Sequence, residues 1–466
     1  MAIWGIGPVG GPERRRAISA EGSKRVTGTE RRSAASATLI TYGTNLVAAV
    51  LSLVNVLVVS RALGPAGRGS VAFLTAIAWL TSSLASAGVE EANANLAASE
   101  PHLRRALATN SVALALLLGT LAIGVVAALI ELFPAVAGPS SSGLRWLTLG
   151  LLPVLILNLY MRWLVRADYA FAVTNIAWLV GPLGNVAVNG LFALLGLLTV
   201  GTAVGTWLAG QAAGTVILVW YAARRTAGFG RPDLRLMRRA LAFGLKTHAG
   251  RVMLLGNYRL DQWLLGAISG ARELGLYSVA VAWAEALWYL PTALKFVQRP
   301  DLVRSDRREA VRLAAIGFRA ATLVIVVLGL GMVVAAPILC VTLFGEQFRG
   351  SIIELRVLVI GAVGVLALTV FGNALVAQRR PVLSSLALGT GFLCTIVLDL
   401  LLIPSHAGIG AAVASTLAYT AAGAMMSVFF LRALGAGAHE LVPKVGELAW
   451  FLNQVRASLR GLFRAA

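Results

Sequence analysis

Apolar positions run along this chain in long blocks parted by short basic segments. The longest block lies between Asp168 and Arg224, where 55 consecutive residues carry no charged side chain. Similar blocks are bracketed by Arg32 and Arg61, Arg68 and Glu90, Arg105 and Glu131, Arg356 and Arg379, and Asp399 and Arg432. A helix of about 20 apolar residues crosses the hydrocarbon core of a bilayer, and in lipid every backbone polar group must be satisfied within the protein. The pattern predicts an all-α membrane protein with about 12 transmembrane helices, near 36–60, 69–90, 106–131, 146–165, 171–195, 200–222, 240–266, 274–296, 313–344, 355–377, 382–403 and 408–432. The 55-residue block is too long for one helix, so a hairpin is placed at 196–201.

Composition agrees. Of 466 residues, 58% are hydrophobic and 13% charged, where a soluble chain carries about 25% charged residues. The net charge of +20 does not point to nucleic acid, because the basic residues sit in short blocks between apolar spans. Counted by alternate connections, one side holds 29 cationic residues and the other six (Arg61, Arg68, Arg145, Arg272, Arg349 and Arg356). The positive-inside rule then places both termini in the cytoplasm and the uncharged 134–143 loop outside. The first long apolar run starts near Ser33, too late and too long for a signal peptide, and reads as an uncleaved first span. Cys340 and Cys394 lie in apolar runs and read as small buried hydrophobes.

The two halves match at an offset of 206 residues. Asn55–Val59 answers Asp261–Leu265, and Gly64 and Gly69 answer Gly270 and Gly275. Leu164-Val165 is echoed by Leu375-Val376. Two six-helix lobes in the same orientation form a parallel repeat, with a substrate path between them. The expected organisation is a disordered basic cytoplasmic tail (1–32), an N-terminal lobe (33–223), a basic cytoplasmic linker (224–239), a C-terminal lobe (240–434) and an amphipathic cytoplasmic helix (435–466). In that last segment Leu448, Leu452, Val455, Leu459 and Leu462 form one stripe and Arg456, Arg460 and Arg464 another, a pattern suited to an anionic leaflet.

Charges at membrane depth are functional candidates. The seventh span carries Lys246, His248, Arg251, Asn257, Arg259 and Asp261. At helical spacing His248, Arg251 and Arg259 share an arc of about 80°, and Lys246, Asn257 and Asp261 share another. The cationic arc suits an anionic substrate, since guanidinium offers a planar fork to phosphate oxygens. Lys246 by itself reads as snorkelling to the inner interface. Asn45 and Asn55 stand at the first-half positions equivalent to Arg251 and Asp261. Glu285 in the eighth span is either a proton or cation site or the counter-charge of an arginine on the seventh; with Asp261 it is the candidate for ion coupling. Glu90-Glu91 reads as the solvated cytoplasmic end of the second span, and Asp399 and Arg319 read as interfacial. The four histidines have no metal-ligand spacing, and no G-x-x-x-x-G-K-[ST] sequence occurs, so neither a metal, a nucleotide nor another cofactor is expected.

Several segments resemble a known family. Arg61–Gly69 (RALGPAGRG) is similar to a turn of bacterial polysaccharide flippases, as are Arg259–Gly266 (RLDQWLLG) with Leu274–Ala280 (LGLYSVA), and Leu375–Pro381 (LVAQRRP). The likeness covers about residues 35–434 and implies the multidrug/oligosaccharidyl-lipid/polysaccharide exporter superfamily, in its O-antigen and exopolysaccharide flippase branch. The implied substrate is an undecaprenyl-diphosphate-linked oligosaccharide, moved to the outer leaflet of the bacterial cytoplasmic (inner) membrane by alternating access. Glycosyltransferases and a polymerase are the implied partners, with membrane lipid; nucleic acid is not. Related lipid II flippases line their first span with arginines, whereas this one offers Tyr42, Asn45 and Asn55, which weakens lipid II as the substrate. A drug/cation antiporter would want acidic residues in the first lobe's helices. A membrane glycosyltransferase would want a sizeable external loop with an acidic site, and the loops are short, so an enzyme is not expected.

Overall fold

A computed structural model describes residues 28–442. The described chain is helical, without strands: α1 (Gly28–Ala85), α2 (Val89–Ser99), α3 (Arg104–Leu132), α4 (Ser142–Gly150), α5 (Leu152–Ala167), α6 (Phe171–Leu194), α7 (Val200–Arg225), α8 (Leu234–Ala284), α9 (Tyr289–Arg304), α10 (Arg307–Pro337), α11 (Ser351–Ile360), α12 (Ala362–Ala377) and α13 (Pro381–Leu434). Eight helical stretches are long and apolar enough to cross a membrane. Two of them, within α1 and α13, are bent at Gly64 and Ala407 and supply two passes each. α8 is bent at Gly270; its first limb adds one pass, and its second limb, continued through the turn at Glu285–Trp288 into α9, adds another, giving the twelve passes that the hydropathy pattern requires. Its polar residues, Arg251, Arg259 and Asp261 among them, keep it less apolar than the other spans.

The chain divides into two compact units, 1–45 and 46–466. The described part of the first is the opening stretch of α1, which carries Asn45 and in which the Thr44 hydroxyl donates to the Ile40 carbonyl. α1 begins at Gly28, inside the stretch expected to be a disordered tail. The amphipathic stripe of Leu448 to Leu462 lies outside the described residues. The linker is shorter than the basic stretch: α7 ends at Arg225 and α8 starts at Leu234.

The second unit contains both lobes, and its backbone repeats as the sequence does. Gly64 has φ 66° and Gly270, 206 residues on, has φ 86°, so each span pair turns at a residue in a region that favours glycine. Later the offset becomes 210. Tyr169 and Arg379 both have positive φ, at 58° and 61°, and α6 and α13 begin two residues after them. The same backbone bond closes both turns, Ala170 N–H to the Val165 carbonyl and Arg380 N–H to the Leu375 carbonyl. Val165 therefore matches Leu375, one residue from the register read in the sequence.

Large apolar side chains such as Leu194, Val334 and Leu132 are exposed, as a lipid-facing surface requires. Inside the second lobe, Phe371 packs on Phe318 and Phe430 with ring centroids 4.7 and 4.5 Å away.

Candidate transport site

The lobes meet at both ends of the bundle. At the end carrying few charges, a Cβ on Gly69 would stand 1.7 Å from the Ala271 carbonyl oxygen, and one on Gly275 would stand 1.8 Å from that of Pro65. These are one contact made twice, since 65 pairs with 271 and 69 with 275 at the 206 offset. Only glycine permits so close a backbone approach. Arg61 locks the same end by donating to the carbonyls of Leu343 and Thr342, at 2.5 and 2.7 Å, on the last turn of the ninth span. At the basic end Gly88 and Gly244 touch, where a Cβ on Gly88 would be 2.4 Å from the Gly244 oxygen.

Between these contacts runs the first limb of α8, and its two faces separate as helical spacing requires. The cationic face turns to the other lobe. His248 Nε2 donates to the Leu84 carbonyl at 2.9 Å, and Arg251 Nη1 pairs with Glu90 Oε1 at 2.9 Å. Arg259 grips Glu285 with both guanidinium ends, one N–O distance being 3.1 Å, and its guanidinium stands 6.0 Å from the Trp79 ring centroid. Glu285 is thus the counter-charge of an arginine. Lys246 is exposed, in keeping with snorkelling.

Two readings of carboxylates are corrected here. Glu90 is fully buried, where a solvated helix end was expected. The chain breaks at Ala87 and Gly88, both with positive φ, and the short α2 that follows carries Glu90 inward instead of out to water. Asp399 is also fully buried instead of interfacial, and neither of its carboxylate oxygens accepts a hydrogen bond from a described residue. Arg319 is likewise buried and donates to the Glu440 carbonyl.

Asp399 belongs to a polar core inside the second lobe. On the inner face of α8, Asn257 accepts from Thr395 at 2.6 Å. One turn further along both helices stand Asp261 and Asp399, within electrostatic reach of each other. Asp261 accepts from the Tyr277 hydroxyl at 2.5 Å and the Ser415 hydroxyl at 3.0 Å. In the first lobe the equivalent positions are Asn55 and Asn189, and Asn189 Nδ2 donates to Asn55 Oδ1 at 2.8 Å.

Spacing also missed a cationic group on the first lobe. Arg162 and Arg166 on α5 were counted with the loops, yet both are half-buried. Arg162 stacks 4.4 Å from the Trp178 ring centroid, donates to Asn158 Oδ1, and lies within electrostatic reach of Arg166 and Arg251. Neither has a carboxylate partner among the described residues, so Arg162 stands near Arg166 and near the Arg251 that pairs with Glu90 without an anion of its own. One sequence cue was available for Asp399: it is the one charged residue between Pro381 and Leu431.

Comparison with known proteins places this arrangement. The polysaccharide biosynthesis protein family matches residues 34–289, more than half of the chain. No curated protein matches it. Among solved structures, the lipid II flippase MurJ in an inward closed conformation superposes with TM-score 0.69 at 12% identity, covering 88% of this chain and 89% of that one. An inward-facing multidrug resistance MATE family transporter gives 0.67 at 14% identity, with 84% and 95% covered. A transporter of the same superfamily from Pyrococcus furiosus gives 0.60 at 14%, with 86% and 94% covered. The chain is a multi-span membrane protein that belongs to the polysaccharide biosynthesis protein family, and it shares its fold with these flippase and transporter structures.

Proposed function

We propose that this protein flips a polyprenyl-diphosphate-linked oligosaccharide from the cytoplasmic to the outer leaflet of the bacterial inner membrane. The observation that carries the reading is at the seam, where Arg162 lies within electrostatic reach of Arg166 and of Arg251, and of the three only Arg251, paired with Glu90, has an anionic partner. A diphosphate supplies the anionic oxygens that such a cluster lacks, while a polyprenyl tail remains in lipid beside the lobes. The arginine-rich end is taken to face the cytoplasm by the positive-inside rule.

In this reading Glu90 holds the place of the substrate. The diphosphate displaces it from Arg251, and the contact between the lobes at Gly88 and Gly244 loses its ion pair. His248, Lys246 and Asn55 are the further polar groups along the path, and Arg259 meets the diphosphate above Arg251. Asp261 with Asp399 is the ion-coupling pair; Glu285 serves it indirectly by neutralising Arg259. Two neighbouring buried carboxylates are costly when both are ionised, and a proton or a cation between them relieves that cost. Asp399, with no donor from a described residue, is the member able to accept one.

In proteoliposomes holding a fluorescent polyprenyl-diphosphate oligosaccharide, Arg162→Ala plus Arg251→Ala should slow flipping by about 100-fold, on the scale of two lost charged hydrogen bonds at about 1.5 kcal/mol each. Unchanged flipping in the double variant would overturn the arginine assignment, and a wild type that leaves this lipid unflipped but exports a cationic drug would support the antiporter reading.

A further inference from the structure

We propose that the basic end carries a second site, a pocket for the phosphate of an anionic phospholipid in the adjoining leaflet. It is an open hollow of about 690 Å³ lined by His102, Arg105, Ala106, Phe229, Gly230 and Arg231. It lies on the first lobe and on the connection between the lobes, and it shares no residue with the transport site.

The hollow is built on a fixed frame. The connection turns through Ala227 and Gly228, both with positive φ, and is then tied to the start of α3. Gly230 N–H donates to the Thr109 hydroxyl at 2.8 Å, and Arg105 donates to the Phe229 carbonyl at 3.2 Å. Asn110 closes the stitch by exchanging bonds with the Asp233 backbone at 2.9 and 3.0 Å.

Its charge is uncompensated because the nearby carboxylates are already committed. Glu100 binds Arg239, Asp168 binds Arg104, and Asp233 caps the first turn of α8. Arg105 spends one of its donors on the Phe229 carbonyl, and Arg231 makes no hydrogen bond or ion pair with a described residue. Guanidinium groups with spare donors, held apart on a fixed frame, are suited to phosphate.

The surroundings point to lipid as the source of that phosphate. On α7, Arg224 stacks 4.3 Å from the ring centroid of Trp220, which is 53% exposed, an arrangement that marks the headgroup level. Phe229 and Leu234, on either side of Arg231, are also exposed apolar side chains. Basic pockets at this level between membrane helices take anionic headgroups.

The test is binding of short-chain phosphatidylglycerol to the purified full chain in detergent, read by native mass spectrometry. Phosphatidylethanolamine is the zwitterionic control. Phosphatidylglycerol should bind selectively, and Arg105→Ala and Arg231→Ala should each weaken it roughly fivefold, as about 1 kcal/mol per basic residue requires. Arg238→Ala, which removes an exposed charge outside the pocket, should leave binding unchanged. A short polyprenyl diphosphate that displaces the phospholipid would extend the same site to the substrate lipid, and failure to displace it would assign the pocket to bulk phospholipid. Equal binding of both phospholipids, or equal losses in Arg231→Ala and Arg238→Ala, would overturn the proposal. Binding is read without transport, so its failure is separate from failure of the flippase reading.

Discussion

The two lobes share a backbone plan, but at one matched pair of positions they differ in chemistry. Where the first lobe has Asn55 and Asn189 joined by a 2.8 Å hydrogen bond, the second has Asp261 and Asp399. An amide pair is neutral and satisfies itself, so it joins two spans at any pH. A carboxylate pair cannot: if both are ionised they repel in a medium that screens poorly, and if neither is, the lobe has gained a proton-dependent link. Tyr277 and Ser415 serve Asp261 but not Asp399. On the reading proposed above, the first lobe is therefore the passive member of the pair and the second the one that responds to an ion.

The comparison can be broken first where the lobes are most alike. Gly69→Leu and Gly275→Leu each force a side chain into the opposing backbone, so both should abolish closure of the sparsely charged end, and to a similar degree. Spin-label distances across residues 66 and 272 should lengthen in both variants. A strong effect in one alone would mean that the glycine contacts are not a repeat.

Glu90→Gln should have the next largest effect. It leaves Arg251 facing the seam without an anion and should cost about 3 kcal/mol in detergent unfolding. Glu285→Gln should cost less, because Arg259 and Glu285 are 27% and 24% exposed whereas Glu90 is fully buried. An equal or larger loss at Glu285 would shift weight from the lobe seam to the interior of the second lobe.

How far the sequence foretold these groups depended on what each one required. Twelve passes and the glycine turns were legible because they rest on run length and on local backbone geometry. The two faces of α8 were legible because helical spacing alone separates Arg251 from Asp261. Glu90 was not, because its depth is set by the break at Ala87 and Gly88, which moves the next turn inward. Asp399 was visible as an isolated charge, but its partner Asp261 lies 138 residues earlier, and only packing of α13 on α8 brings them together. Arg162 was counted as loop charge because a cationic side chain near a span end reads the same whether it faces water or a seam.

A smaller effect is expected from Asn189→Leu. It removes the amide link to Asn55 and should cost about 1 kcal/mol, the scale of a hydrogen bond between membrane helices, while leaving any ion dependence of transport intact. Loss of ion dependence in this variant would erase the contrast between the lobes.

The smallest effect lies outside the membrane. The hydrogen bond from Arg239 holds the Glu100 carboxyl below its usual range. The pair's contribution is complete at neutral pH and is lost as pH falls through that depressed range. Glu100→Gln should remove this acid dependence, measured as hydrogen exchange along the start of α8, with transport at neutral pH unaltered.

The most direct test makes the second lobe resemble the first. Asp261→Asn plus Asp399→Asn should fold with at least wild-type thermal stability, since it removes two buried carboxylates. Flipping of a polyprenyl-diphosphate oligosaccharide in proteoliposomes is then measured with and without imposed proton and sodium gradients. The account predicts that wild-type flipping responds to one of these gradients and that the double variant responds to neither. If the double variant keeps the wild-type response, or the wild type ignores every gradient, the carboxylate pair is not the coupling site.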